Sequence, residues 1–436
     1  MSTMHPGGEP GPDRARTRLR RLVARLGPDL ALLRRSREFR LLYAGQTFSF
    51  AGSMITFVAM PYQAYRLTGS SLVVGLLSVT EVVPLVASAL LGGALADAIN
   101  RRRLILATEV ALAVTSAVLV VNAAAWHQLW VLFAIGAVMA FLSGLQRPSL
   151  DALVPVLVGH DDLPAAAGLV GLLGNAATLA GPLLGGGLIA LGGLTSAYAV
   201  DAGTSVVALL AVGLMRPVAS LAEPSPPSLR SIADGIRYAR SRPELLGTYL
   251  IDISAMFFGA PFALFPAIAA GLGGPAALGL LYAAPAAGGL LVSMTSGWTA
   301  RVSRHGRAIV LAVAAWGTAI ALLGLATSLW WAVAALAAAG AADMVSGLFR
   351  MTMWNQTIPA AYRGRLAGLE MISYTTGEPL GNLESGLAAA LTGSVRISIV
   401  SGGVACLVGA VAVTLALPAL WRYDALALPV PDPRQP

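Results

Sequence analysis

Twelve apolar runs divide the chain, at about 39–66, 71–96, 103–123, 128–156, 164–191, 194–215, 245–270, 276–299, 307–327, 329–357, 364–391 and 395–420. Each is near the roughly 20 residues that a helix needs to cross a bilayer. Only 11% of residues are charged and 56% are hydrophobic, with a mean hydropathy of +0.74. Soluble domains carry about 25% charged residues. No water-soluble core hides this much apolar surface, so the chain is expected to be an all-α integral membrane protein whose helices satisfy their own backbone groups in lipid.

The net charge of +8 comes from arginine alone, since the sequence has no lysine. A nucleic-acid surface is one source of such a balance. The positions exclude it, because the arginines gather at the ends of the apolar runs. Ten precede or reach Arg40; Arg101, Arg102 and Arg103 follow the second run; Arg216, Arg230, Arg237, Arg240 and Arg242 follow the sixth. Arg301, Arg304 and Arg307 follow the eighth, Arg363 and Arg365 the tenth, and Arg422 and Arg434 the last. The opposite connections hold little beyond Arg66 and Arg396. Every second connection is basic, which places both termini in the cytoplasm and the chain in the inner (plasma) membrane as a multi-pass protein. The lone Cys406 excludes an intramolecular disulfide and reads as a small core residue.

The order of segments follows. Residues 1–38 form a basic tail, without the apolar core and cleavage site of a signal peptide. Its Leu19, Leu22, Val23 and Leu26 make an apolar side suited to the anionic inner leaflet. Residues 39–216 form a first set of six spans and 245–421 a second. Between them, 217–244 is a Pro-rich linker with a short amphipathic helix at Leu229 to Arg240, and 422–436 is a second tail. The two sets look alike. "SGLQRPSLDALVP" from Ser143 matches "SGLFRMTMWNQTIP" from Ser346, and Gly181-Pro182-Leu183 falls where Glu378-Pro379-Leu380 falls. Two pseudosymmetric six-helix bundles about an axis normal to the membrane imply a substrate site between them, near the midplane.

Three stretches carry a family resemblance. Gly93-x-Leu95-Ala96-Asp97 followed by Arg101 and Arg102 resembles motif A of the major facilitator superfamily. The resemblance implies that Asp97 meets the start of the eleventh helix near Gly364 and braces one conformation, a place where a helix dipole favours a carboxylate. Ala98 and Asn100 stand where the family usually has Arg and Gly. "GNAATLAGPLLGGG", with Gly174, Gly181, Pro182, Gly185 and Gly186, resembles motif C of proton-coupled exporters; a Gly-rich packing face of any membrane helix is the alternative. "DGIRYARSRPELLGTYLIDISAMFFGAPFALFPAIA" and "TIPAAYRGRLAGL" resemble the enterobactin-exporter and drug–proton antiporter branch. That resemblance implies the major facilitator fold and efflux of a small amphipathic molecule, a siderophore, antibiotic or drug, by proton antiport with alternating access.

Ionisable groups within a span are costly and mark functional positions. Glu81, Asp252, Asp343, Glu370 and Glu378 are therefore the candidates for proton coupling, with Glu378 and Glu81 preferred. A structural hydrogen bond or salt bridge is the alternative for Glu81. Glu370, Tyr374, Glu378 and Asn382 recur every four residues and make a slowly turning polar stripe beside Pro379. In the first span Gln46, Ser49, Ser53, Thr56 and Gln63 share a face. Together with Tyr374 and Asn382 they are candidates to line a substrate cavity, against the alternative of helix packing. Arg147 and Arg350, repeat-related, are candidate gates, pairing with Asp151 or Asp343, or else interfacial anchors. Phe257, Phe258, Phe262 and Phe265 offer an apolar wall.

No catalytic constellation, metal-ligand spacing or phosphate loop is present, so no enzyme, metal or cofactor is expected. The expected partners are the bilayer, a small-molecule substrate and protons, with no nucleic acid and a monomeric chain. An importer or facilitator of the same fold, and a non-transporting sensor or scaffold, stay open as alternatives.

Overall fold

The computed structural model describes residues 31–98, 100–216, 237, 238, 240–358 and 360–425, and for 89–98 and 360–375 the backbone only. The basic tail before residue 31 and the linker helix at 229–240 therefore lie mostly outside the described residues. Twelve long helices follow one another: α1 (Arg37–Thr68), α2 (Ser71–Ala98), α3 (Arg101–Val121), α4 (Leu129–Val158), α5 and α6 within Leu163–Gly213, and α7 (Pro243–Leu272). Then come α8 (Pro275–Met294), α9 (His305–Gly324), α10 (Leu329–Thr357), α11 (Ala360–Thr392) and α12 (Val395–Ala416).

Local chemistry sets the boundaries. Ser36 accepts from the Phe39 N–H at 3.2 Å and caps the start of α1. Gly69, at φ 65°, ends the helix with its N–H on Tyr65 O. An L side chain is disfavoured in that left-handed conformation. Asn100 caps α3 by accepting from the Arg102 and Arg103 N–H groups, which explains the asparagine in the motif A turn. Leu163–Gly213 runs 51 residues, about 77 Å at 1.5 Å per residue, far beyond a hydrocarbon core of about 30 Å. It turns at Gly193, φ 75° and ψ −177°, so α5 is 163–192 and α6 is 194–213.

The run at 245–270 reads as one span, but α7 is broken. It is helical over Pro243–Gly259, passes through Ala260 and Pro261, makes a 3-10 turn at Phe262–Leu264 and resumes over Phe265–Leu272. Pro261 has no N–H to donate and its ring pushes Ala260 out of the helical region, to φ −111° and ψ 78°. The freed backbone groups find partners. Trp316 Nε1 donates to Gly259 O at 3.1 Å, Asn382 Oδ1 accepts from the Ala263 N–H at 2.9 Å, and the Tyr282 hydroxyl donates to Phe262 O at 3.2 Å. A break at membrane depth is tolerable only under such cover.

Packing yields two bundles. In the first, α1 lies against α5 and α6, α2 against α4, and α3 against α6; in the second, α8 and α9 lie against α10, and α12 against α7 and α9. The bundles meet along two seams, α2 with α11 and α5 with α8.

Candidate functional site

Both seams close at the same end of the molecule. A Cβ on Gly186 would stand 2.6 Å from Pro275 O and 2.7 Å from Gly279, and one on Gly279 would stand 2.6 Å from Pro182 O. Only glycine lets α5 and α8 approach so closely. On the other seam, a Cβ on Gly386 would stand 2.7 Å from Ser71 O, and Gly75 abuts the Asn382 carbonyl. Phe57 of the first bundle meets Tyr282 of the second edge-on at 5.4 Å. Toward the other end of α5, Gly168, Gly171 and Gly174 have nothing within 4 Å of a Cβ. Leu291 and Met294 of α8 are exposed there.

One turn inward from the closed α2–α11 seam lies a group of ionisable side chains. Glu378 of α11 acts electrostatically on Glu81 of α2 across the bundle boundary and on the Tyr282 hydroxyl of α8. Glu378 itself feels Asp343 of α10. Glu81 reaches α4, where its Oε1 would lie 2.8 Å from a Cβ on Gly136. Asp343 in turn stands 3.8 Å from Arg350, whose guanidinium is ion-paired with Asp252 of α7. Four of the five carboxylates expected from the sequence thus belong to one electrostatically linked group, in which Arg350 bridges Asp252 and Asp343. The Glu370 and Tyr374 side chains lie outside the described residues.

The polar face of α1 bonds inside its own bundle. Gln46 Nε2 and Gln146 Nε2 donate to Glu109 Oε1 at 3.0 and 2.8 Å, and Ser49 Oγ donates to Oε2 at 3.1 Å. Thr56 and Ser116 donate to Asp201 Oδ2 at 2.6 and 2.8 Å, and the Tyr198 hydroxyl donates to Gln63 Oε1. Ser53 bonds back to Ser49 O. Glu109 and Asp201 are 0% and 1% exposed, and neither was among the sequence candidates. The signal that selected Glu81, a lone carboxylate inside an apolar run, applies equally to both. Asn382 is buried, bonded to Ala263 and, through Nδ2 at 3.4 Å, to Ser78 Oγ.

Arg147 pairs with Asp151 at 3.3 Å, both side chains about two-thirds exposed or more, at 70% and 67%. The motif A helix end is described as backbone only, so the side chains of Gly93-x-Leu95-Ala96-Asp97 lie outside the description. Its arginines do not. Arg101 donates to Ala152 O, while Arg102 donates to Val212 O and Gly213 O at 3.2 and 2.7 Å and so caps the end of α6. In motif C, Gly181 and Gly185 face α1 at Met54 and Ile55, and Gly186 faces α8.

Comparison with known proteins matches this architecture. Residues 29–433 match the family described as transmembrane secretion effector. The chain is 30% identical over 373 residues to proteins named enterobactin exporter EntS from Shigella boydii serotype 4 and Escherichia coli O139:H28, covering 84% of this chain and 88% of each relative. Among solved structures, the nucleoside transporter NupG aligns with a TM-score of 0.68 at 15% identity, over 89% of this chain and 100% of that one. A POT family transporter in complex with 5-aminolevulinic acid aligns with a TM-score of 0.69 at 12% identity, over 88% and 97%. At such identities the two structures speak for the fold alone. With nearly its whole length matched, the chain belongs to the transmembrane secretion effector family of major facilitator exporters.

Proposed function

We propose that the chain exports a small amphipathic molecule, of siderophore, antibiotic or drug type, in exchange for protons. Both termini face the cytoplasm and the closed end faces outward, so this conformation is loaded from inside. The observation that supports the coupling is the packing of α2 on α11, which puts one carboxylate from each bundle, Glu81 and Glu378, within electrostatic reach just inward of the closed seam. Two carboxylates sharing a low-dielectric site disfavour being charged together. A proton on either removes the repulsion and lets the outer seam close; its release to the cytoplasm restores the repulsion and favours reopening outward with substrate aboard. Proton entry and substrate exit are then two halves of one cycle. The names of the relatives point to a siderophore-like substrate. Asp97 and Arg102, at the motif A turn, brace the conformation rather than touch the cargo.

The test is substrate-induced proton flux in proteoliposomes. Glu378→Gln is expected to abolish uphill export driven by a pH gradient while downhill exchange survives, because the amide imitates the protonated acid. Undiminished flux in that variant removes Glu378 from the mechanism and leaves Glu81 or Asp343. For topology, a cysteine replacing Arg102 or Arg237 should resist an impermeant reagent added outside intact cells.

A further inference from the structure

Asn382 is a sequence candidate for the cavity lining, and both polar atoms of its side chain are bonded within the protein. It is 5% exposed and lies where three helices converge. Its Oδ1 accepts the N–H of Ala263, a donor freed by the break in α7. Its Nδ2 reaches Ser78 Oγ in the opposite bundle. Close packing holds it in place: a Cβ on Gly381 would lie 2.9 Å from Phe257 O, one on Gly377 would lie 3.0 Å from the Met256 side chain, and Gly75 of α2 packs on the Asn382 carbonyl. A primary amide is the side-chain type that offers an acceptor to one helix and a donor to another from a single planar group.

We propose that Asn382 is a gating residue, a clamp that fastens the closed seam to the broken turn of α7 and that contributes to conformational balance, not to cargo recognition. When the bundles rock apart at this end, the bond to Ser78 is lost while the bond to Ala263 stays within the second bundle. The seam therefore has a polar fastening on the α2–α11 side, in contrast to the bare glycine contact of α5 with α8. The charged and titratable groups nearest this fastening are Glu81, Glu378, Asp343 and Tyr282, one turn or more inward; none is bonded to it among the described residues.

The assay needs no substrate and no knowledge of which way the chain is inserted. A cysteine replaces the seam residue Ser71, 8% exposed in the closed state, and its maleimide labelling rate is measured in detergent; native Cys406 is 0% exposed. Ser78→Ala removes the cross-bundle partner, together with the bond of the Ser78 hydroxyl to Val74 O inside α2, whose carbonyl keeps its helical donor. Asn382→Asp keeps the acceptor for Ala263 and removes the donor to Ser78. Each is expected to raise labelling about fivefold, the population shift matching one lost hydrogen bond, with thermal unfolding of Ser78→Ala nearly unchanged. Ser78→Asn, which keeps a side-chain acceptor facing Asn382 Nδ2, should label no faster than the parent. Unchanged labelling in both Ser78→Ala and Asn382→Asp overturns the clamp. The inference stands apart from the export reading: seam labelling can respond in a chain that moves no protons, and proton coupling can hold in one whose seam ignores Asn382.

Discussion

The two bundles treat buried charge in opposite ways. In the first, Glu109 and Asp201 are fully enclosed and are held by neutral donors, Gln46, Ser49 and Gln146 for one, Thr56 and Ser116 for the other. In the second, Asp252 and Asp343 stand against a guanidinium, Arg350, and Asp343 also faces Glu378. The repeat-related arginine of the first bundle, Arg147, is out in the open with Asp151. Neutral donors fix a carboxylate in place without any countercharge to rearrange. A lone arginine between two carboxylates can shift from one to the other when a nearby group gains or loses a proton. The carboxylates of α3 and α6 are thus held as part of a rigid frame, and the groups that respond to charge are those of the second bundle together with Glu81 at the α2 seam.

The largest effect that separates them is expected at Arg350. Arg350→Met takes the guanidinium away from Asp252, and removal of one member of a buried pair costs about 3–5 kcal/mol. Thermal unfolding in detergent should fall accordingly and transport should be lost; a double change, Arg350→Met with Asp252→Asn, should recover most of the stability and not the transport. A single variant as stable as the parent would break the comparison. Next in size is Glu109. Glu109→Leu strands the buried hydroxyl and amide donors around it, at about 1–3 kcal/mol, whereas Glu109→Gln keeps the acceptor for Gln46 and Gln146 and offers Ser49 an N–H that its hydroxyl can accept by rotating. The amide variant should export with the parent's proton dependence, in contrast to Glu378→Gln; lost coupling there would make the first bundle more than a frame. Smallest is Arg147→Ala. An exposed i,i+4 pair contributes about 0.3–0.5 kcal/mol, so unfolding should shift little and transport should stay within about twofold. A severe transport defect would show that Arg147 gates in another conformation.

Much of this was legible in the chain. Run lengths and the alternation of arginines gave twelve crossings, and the break between α5 and α6 fell within the gap read at 191–194, because Gly192-Gly193 is a turn signal in any setting. Glu81, Asp252, Asp343 and Glu378 stood out because a carboxylate in an apolar run is rare. The same rule would have found Glu109 and Asp201 had it been applied to every run. The break in α7 was also written locally, in Gly259-Ala260-Pro261, and was hidden by the continuous hydropathy around it.

What the sequence determined by itself is what depends on composition and spacing along one helix: membrane residence, the number of crossings and which residues are charged within them. Which way each polar face turns depends on neighbours far apart in the chain, and only the tertiary structure decided it. Helical periodicity puts Gln46, Ser49, Ser53, Thr56 and Gln63 on one side of α1, but a face has no label saying whether α3 and α6 or a cargo will meet it. Likewise Arg147 and Arg350 are equivalent in the repeat, and their fates part because α7 supplies an aspartate beside Arg350 while Arg147 pairs with Asp151 one turn along its own helix. In a bilayer every buried polar group takes the best partner within reach, and reach is a property of the packed molecule.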